Sequence, residues 1–305
     1  MILLILNFLI MSDGLPFIDS LWDYNDPAGT EKKFKELLPE AEASGDKDYY
    51  IQLLTQIART YGLQRQFDKA HELLDKVGDL LAENENVDTA WVRYYLERGR
   101  AFNSAGDKEK ALVLFKQAYD YAENKGMDFY AIDAAHMMAI AENPEESLRW
   151  SDIAIGMIEK TSDERAKKWG GPLYNNTGWT YHDMGEYERA MSYFEKSLAW
   201  HKERNTGEGE RIARWTVARC LRSLGRASDA LDMQMELLKD IEQNNYRNDG
   251  FVFEEIGECN LELGNDDTAS EYFAKAYELL SQDTWLQTNE KDRLDRMKKL
   301  GKVPD

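Results

Sequence analysis

A spacing pattern recurs along the chain at intervals near forty residues, and it constrains the fold more than any other feature. In residues 174–197, a small residue (position s) is followed by an aromatic residue at s+3, glycine at s+7, alanine at s+12 and phenylalanine at s+16. The copies at Gly99, Gly178 and Gly257 are clear, and the copy at Ala135 is degenerate because "AENPEES" replaces its glycine turn. The residues at position s are Ala58, Gly99, Ala135, Gly178, Ala218 and Gly257.

The spacing within each copy predicts a helical hairpin. Positions s and s+3 share one face of a first helix, whereas s+12, s+16 and s+19 share one face of a second helix. Glycine at s+7 suits the turn between the two helices. Small residues at s and s+12 allow the two backbones to approach closely, and the rings at s+3 and s+16 fill the volume beside them. The pattern therefore predicts an all-α fold of stacked helical hairpins.

This spacing resembles the tetratricopeptide repeat, and the resemblance covers nearly all of residues 45–280. It implies a right-handed superhelical solenoid of antiparallel helical hairpins, with about six repeats and capping helices. The period is longer than usual for the family, and the proline that commonly closes a repeat is absent. In length the repeats resemble those of kinesin light chain-type adaptors.

Three regions are predicted: an N-terminal extension in residues 1–26, a repeat domain in 27–282 and a capping helix with its tail in 283–305. Phe34 and Leu37 match the second helix of a repeat, so residues 27–43 are expected to form a half-repeat that closes the array. The last region begins with Asp283, a suitable N-cap. Its apolar stripe is expected to comprise Trp285, Leu294, Met297 and Leu300.

The apolar run "MILLILNFLI" at residues 1–10 is too short to span a bilayer and lacks basic residues before it. We therefore favour translation from Met11, with residues 1–10 as an untranslated or disordered extension. A weak membrane-associating tail is the alternative. Phe17, Leu21 and Trp22 follow in a stretch whose course the sequence leaves open.

The charge balance restricts the class of partner. The chain carries 38 Lys and Arg residues against 57 Asp and Glu residues, a net charge of −19, which disfavours nucleic acid and anionic lipid. Cys220 and Cys259 form neither a disulfide framework nor a metal-ligand spacing, which fits a reducing, cytoplasmic location. Phosphate-loop, nucleophile-elbow and metal-helix motifs are missing from the sequence, so we expect no enzyme activity, no metal and no cofactor. The expected partner is another protein.

In stacked hairpins the first helices line a concave groove, into which positions s−3, s+1 and s+4 project. These columns are rich in arginine, asparagine, histidine and tryptophan, a set that suits peptide recognition. The candidate peptide-binding residues are Arg59, Arg100, Asn103, His136, Asn175, Trp179, His182, Trp215, Arg219 and Arg222. Position s−2 adds Glu97, Asp133 and Glu255, so two interpretations stay open: arginines that bind an acidic peptide, or arginines that these acids neutralise.

The leading hypothesis is a non-catalytic scaffold that binds an extended, acidic peptide segment in its concave groove. An alternative is a peptide-sensing signalling regulator whose superhelix changes shape on ligand binding. An enzyme would depend on His136 and His182 near Asp183, without an evident nucleophile. Self-association through the convex or terminal surfaces is a fourth hypothesis.

Overall fold

The structure is a computed structural model that describes residues 14–247 and 249–304. The predictions for residues 1–10 and for a start at Met11 lie outside the described residues. Within the described ranges the regular elements are helices, with no β-strand. The predicted all-α fold of helical hairpins is confirmed. The described helices include none that is both long enough and apolar enough to cross a membrane.

The chain divides into two compact units, residues 1–169 and 170–305. Unit 1 contains the helices α1 Pro27–Ala43, α2 Lys47–Leu63, α3 Phe67–Glu83, α4 Asp88–Ala105, α5 Lys108–Asn124, α6 Asp128–Ala141 and α7 Pro144–Lys160, with 3-10 helices at Ile18–Leu21 and Ala166–Trp169. Unit 2 contains α8 Gly170–Asp183, α9 Tyr187–Arg204, α10 Gly207–Ser223, α11 Ala227–Gln243, α12 Gly250–Glu262, α13 Asp266–Leu280, α14 Thr284–Asn289 and α15 Lys291–Leu300. The six residues at position s lie on the first helices of the six hairpins, α2, α4, α6, α8, α10 and α12.

The small residue at position s is a packing requirement in the clear copies. A Cβ atom added to Gly99 would lie 2.5 Å from the ring of Phe115, and one added to Gly178 would lie 2.6 Å from the ring of Phe194. Both phenylalanines, at s+16, are fully buried. The glycine thus lets the second helix place a ring directly against the backbone of the first. This is the contact that the spacing predicts.

The turn at s+7 requires left-handed backbone. Gly185 has a φ of +78° there, a region that glycine occupies without steric cost. Arg65 holds the equivalent position in the first repeat, with a φ of +59°. In the degenerate third copy, Asn143 instead caps α7 through its side chain, and Pro144 starts that helix.

The C-terminal region differs from the single capping helix that the sequence predicts. Asp283 does cap α14, but the helix ends at Asn289 and a second helix starts at Lys291. Leu294 and Met297 are buried against the last hairpin, whereas Trp285 is 54% exposed. Leu286 packs in one cluster with Leu294 and Met297 in place of Trp285, so the assignment of Trp285 to that stripe is wrong.

Candidate functional site

The candidate residues all lie on first helices, and each unit holds part of the set. In unit 1, Arg59 is on α2, Arg100 and Asn103 are on α4, and His136 is on α6. In unit 2, Asn175, Trp179 and His182 are on α8, while Trp215, Arg219 and Arg222 are on α10.

The unit 1 arginines are neutralised by buried acids of position s−2. Glu97, which is 3% exposed, accepts hydrogen bonds from Arg59 at 3.1 Å and from Arg100 at 2.8 Å. Arg100 also pairs with Asp133 on α6. Together with Asn103, these arginines line a small cavity of about 170 Å³. The positive charges of Arg59 and Arg100 are therefore already paired with carboxylates of the fold.

His136 is a packing residue in unit 1. Its side chain is buried, and its ring lies 4.9 Å from that of Trp169. Burial, aided by the nearby charge of Arg100 and opposed by Asp133, lowers the pKa of His136 to about 4. The imidazole is therefore neutral near pH 7.

An aromatic row crosses the first helices of unit 2. The ring centroids of Trp179 and Trp215 are 6.0 Å apart, and those of Trp215 and Phe251 are 6.3 Å apart. The Nε1 atom of Trp215 donates a hydrogen bond to the carbonyl oxygen of Phe251 at 3.1 Å, which fixes the indole. This row borders a cavity of about 890 Å³, hereafter the unit 2 cavity, whose other lining residues include Arg211, Tyr246, Arg247 and Arg293.

The remaining candidates of unit 2 lie away from this cavity. Arg222 forms ion pairs with Glu255 and Glu262, and Arg219 lies 3.5 Å from Glu255. His182 shares a hydrogen bond with Ser223 at 2.9 Å, and burial, with the charge of Arg219, lowers its pKa. The Nδ2 atom of Asn175 donates to Asn176 at 3.4 Å. The structure therefore brings Trp179 and Trp215 together at the cavity and leaves the other four outside its lining.

Further cavity-lining residues lie one helical turn before position s−3. The face that carries s−3 continues at s−6 and s−7, since three or four residues separate successive turns. Those positions hold Arg93 and Phe129 in unit 1, and Arg211 and Phe251 in unit 2; all four line cavities. Extending the columns by one turn would have found them.

Arg211 is a cation of the unit 2 cavity, and its charge opposes the rise that burial causes in the pKa of Asp249. Its guanidinium lies 4.0 Å from the ring centroid of Tyr246, and it makes no ion pair with any residue in 14–247 or 249–304. Two carboxylates that line the cavity are engaged as helix caps: Asp249 accepts from the backbone of α12, and Asp283 from that of α14. Glu208, on the first turn of α10, is exposed.

The cysteines are part of the packing. Cys220 and Cys259 are buried, and burial raises the pKa of the Cys220 thiol to about 11 and that of the Cys259 thiol to about 12. Among the described residues, no group of three His, Cys, Asp or Glu side chains is arranged to hold a metal ion.

The sequence matches a family model over one hairpin and a distant relative over most of its length. Residues 171–202, in α8 and α9, match a tetratricopeptide repeat model. The chain is 22% identical over 259 residues to the outer dynein arm-docking complex subunit 4 of Xenopus laevis, which covers 82% of this chain. The match spans 46% of that relative, less than half of its length.

Solved structures share the fold at low sequence identity. A STAND ATPase with a tetratricopeptide repeat sensor, from Pyrococcus horikoshii, matches 88% of this chain and 42% of its own length, with 17% identity and a TM-score of 0.67. NprR in complex with its cognate peptide NprX matches 94% of this chain and 84% of its own, with 14% identity and a TM-score of 0.58. Residues 171–202 are thus a tetratricopeptide repeat, and the chain has the fold of tetratricopeptide repeat proteins.

Proposed function

We propose that the chain is a non-catalytic adaptor that binds an extended segment of another protein in the unit 2 cavity. The observation that carries the proposal is the row of Trp179, Trp215 and Phe251 along a cavity of about 890 Å³. Rigid aromatic side chains that line a concavity are the usual anchors of protein recognition. The cavity is also in the size range of ligand sites.

The charge of the site favours a ligand segment that carries a carboxylate. Arg211 presents a planar guanidinium that is held by stacking on Tyr246, so little side-chain freedom is lost when it pairs. Arg100, Arg219 and Arg222 cannot serve in this way without giving up Glu97, Asp133 or Glu255. Arg211, which the aromatic contact holds in place, is therefore the candidate partner of an acidic ligand, and Arg247 adds a second positive charge to the lining.

The relatives support a role in binding proteins or peptides. NprR is a structure of the same fold that holds a peptide, and the Xenopus relative is a subunit of a docking complex. Sequence identities of 14% and 22% do not allow a particular partner to be inferred from these proteins.

The test is a selection from a displayed library of random twelve-residue peptides on the immobilised chain. We expect enriched peptides to bind the Trp179→Ala/Trp215→Ala variant about 30-fold more weakly, the loss of about 2 kcal/mol that a hot-spot anchor gives. Arg211→Glu, which breaks no ion pair, should weaken binding about tenfold. Trp285→Ala removes an exposed tryptophan outside the cavity and should leave binding unchanged.

Circular dichroism must first show equal helicity for all four proteins. If the enriched peptides bound the double-tryptophan and Arg211→Glu variants as tightly as the wild type, the unit 2 cavity would not be the binding surface.

A further inference from the structure

The N-terminal segment, residues 14–26, lies in unit 1 in the manner of a bound peptide. Leu15 and Ile18 are each 2% exposed and pack with Phe34 and Tyr49. The Tyr49 hydroxyl donates a hydrogen bond to the carbonyl oxygen of Pro16 at 2.7 Å. The segment, which includes the 3-10 helix Ile18–Leu21, is thus held by apolar anchors and by a hydrogen bond to its main chain.

Two arginines of unit 1, one on α4 and one in the turn after α7, contact the acidic residue of this segment. The Asp19 carboxylate lies 2.6 Å from Nη2 of Arg93 on α4 and 3.5 Å from Nη1 of Arg165, which follows α7. Arg93 is 5% exposed, so its charge is desolvated and Asp19 compensates it. This contact joins residues 74 positions apart in the sequence.

The aromatic residue three positions later is recognised as well. The Nε1 atom of Trp22 donates to Oε1 of Gln56 at 3.0 Å. The guanidinium of Arg59 lies 5.5 Å from the Trp22 ring centroid and 5.3 Å from that of Tyr24. Within this unit, Arg59 therefore serves the chain's own segment as well as Glu97.

The cavity beside Asp19 shares a phenylalanine–guanidinium contact with the unit 2 cavity. Each has phenylalanine at position s−6 of a first helix, Phe129 on α6 and Phe251 on α12. Each phenylalanine lies under a guanidinium that follows the next second helix: Arg165 at 3.7 Å and Arg293 at 5.3 Å.

The arginine on the preceding first helix also has a counterpart in the two cavities. Arg93 on α4 corresponds to Arg211 on α10, at s−6 and s−7 respectively. The two cavities differ in the carboxylates that their arginines contact. Asp19 bridges Arg93 and Arg165, whereas Arg293 pairs with Glu254 on α12. Arg211 makes no ion pair within the described residues, and the carboxylate that interacts with its charge, that of Asp249, is engaged in capping α12.

We propose that residues 14–26 exemplify the ligand of the unit 2 cavity: a segment with a carboxylate and, three residues later across a 3-10 turn, an aromatic side chain. In that cavity the carboxylate pairs with Arg211, and the aromatic ring packs on Trp179 and Trp215. This inference rests on the proposed function and specifies its ligand class. It predicts that the chain binds its own N-terminal sequence when that sequence is supplied as a separate peptide.

The experiment titrates the full-length chain into a fluorescein-labelled peptide, GLPFIDSLWDYND, and follows fluorescence anisotropy at low salt. The resident segment is tethered to unit 1, which gives it an effective concentration near millimolar there, so the added peptide reports on unit 2. We expect saturable binding to the wild-type chain. Arg211→Glu should weaken it at least tenfold, and Arg189→Glu, an exposed change on α9, should not.

Changes in the peptide test the ligand class without altering the protein. The Asp19→Asn peptide and the Trp22→Ala peptide should each bind at least tenfold more weakly, and a scrambled peptide of the same composition should not bind. The proposal is overturned if the original peptide fails to bind, if the Asp19→Asn peptide binds equally, or if Arg211→Glu has no effect.

The library selection separates this inference from the adaptor proposal. Some enriched peptides could bind only when Trp179 and Trp215 are present and yet lack a carboxylate three residues before an aromatic side chain. That result would support the unit 2 cavity as the adaptor's binding surface and would reject this ligand class. Enriched peptides with the spacing would support both.

Discussion

The Glu97→Ala variant should unfold with a free energy about 3–5 kcal/mol below that of the wild type, because it leaves buried guanidinium groups without a counter-charge. Glu97 lies between Arg59 and Arg100, which are only 23% and 15% exposed in their side chains. Urea unfolding followed by circular dichroism measures this loss. Glu109→Ala, on the exposed face of α5, is the control and should change stability by less than about 0.5 kcal/mol.

The ion pairs of Glu97 with Arg59 and Arg100 give a pH dependence with a definite sign. Burial opposes ionisation of Glu97, but the charges of Arg100 and Arg59 and the hydrogen bond from Gln56 outweigh it and lower its pKa. The ionised pair therefore stabilises the fold fully above the unfolded-state pKa of about 4.3, and this contribution is lost as the pH falls through the folded-state pKa. The stability difference between wild type and Glu97→Gln should shrink on acidification below about pH 4.3. A difference that stayed constant from pH 7 to pH 3 would contradict the ion-pair account.

Gly178→Ala should destabilise the chain by about 1–3 kcal/mol, the usual range for overpacking a core. The added methyl group would lie 2.6 Å from the fully buried ring of Phe194. This cost exceeds the gain of about 0.5–1 kcal/mol that alanine normally brings to a helix. Thermal unfolding of each variant measures the balance.

Two further glycines supply the controls for this prediction. Gly156→Ala, on α7 with no atom within 4 Å of the added Cβ, should stabilise the chain by about 0.5–1 kcal/mol. Gly257→Ala, at 3.2 Å from Phe273, should fall between the other two variants. A Phe194→Leu change should recover part of the loss in Gly178→Ala but not in Gly257→Ala. Equal effects at all three glycines would show that position s is not set by packing.

The repeat pattern predicts most of the fold because it records local packing between helices that follow each other in the chain. Gly99 against Phe115 and Gly178 against Phe194 are contacts within one hairpin, and their spacing is visible in the sequence. The break at Glu290 was missed because it depends on how a short capping segment fits the end of the last hairpin. On α14 the buried residue is Leu286, and its neighbour Trp285 is exposed.

The candidate site was predicted only in part, since it depends on contacts between distant positions. The columns identified Trp179 and Trp215, but they could not decide whether Arg222 faces a ligand or Glu255, which lies 33 residues later. The path of residues 14–26 could not be predicted from the sequence either. Asp19 contacts Arg93 and Arg165 through tertiary packing, and no sequence periodicity relates these three positions.

The most direct test of the adaptor claim is affinity capture from native lysate, followed by mass spectrometry. It compares the full-length chain with Trp179→Ala/Trp215→Ala and with Trp285→Ala, at matched helicity. We predict a protein that the wild type and Trp285→Ala retain and the double-tryptophan variant loses. Capture of the same proteins, in the same amounts, by all three chains would contradict the assignment of partner binding to the unit 2 cavity.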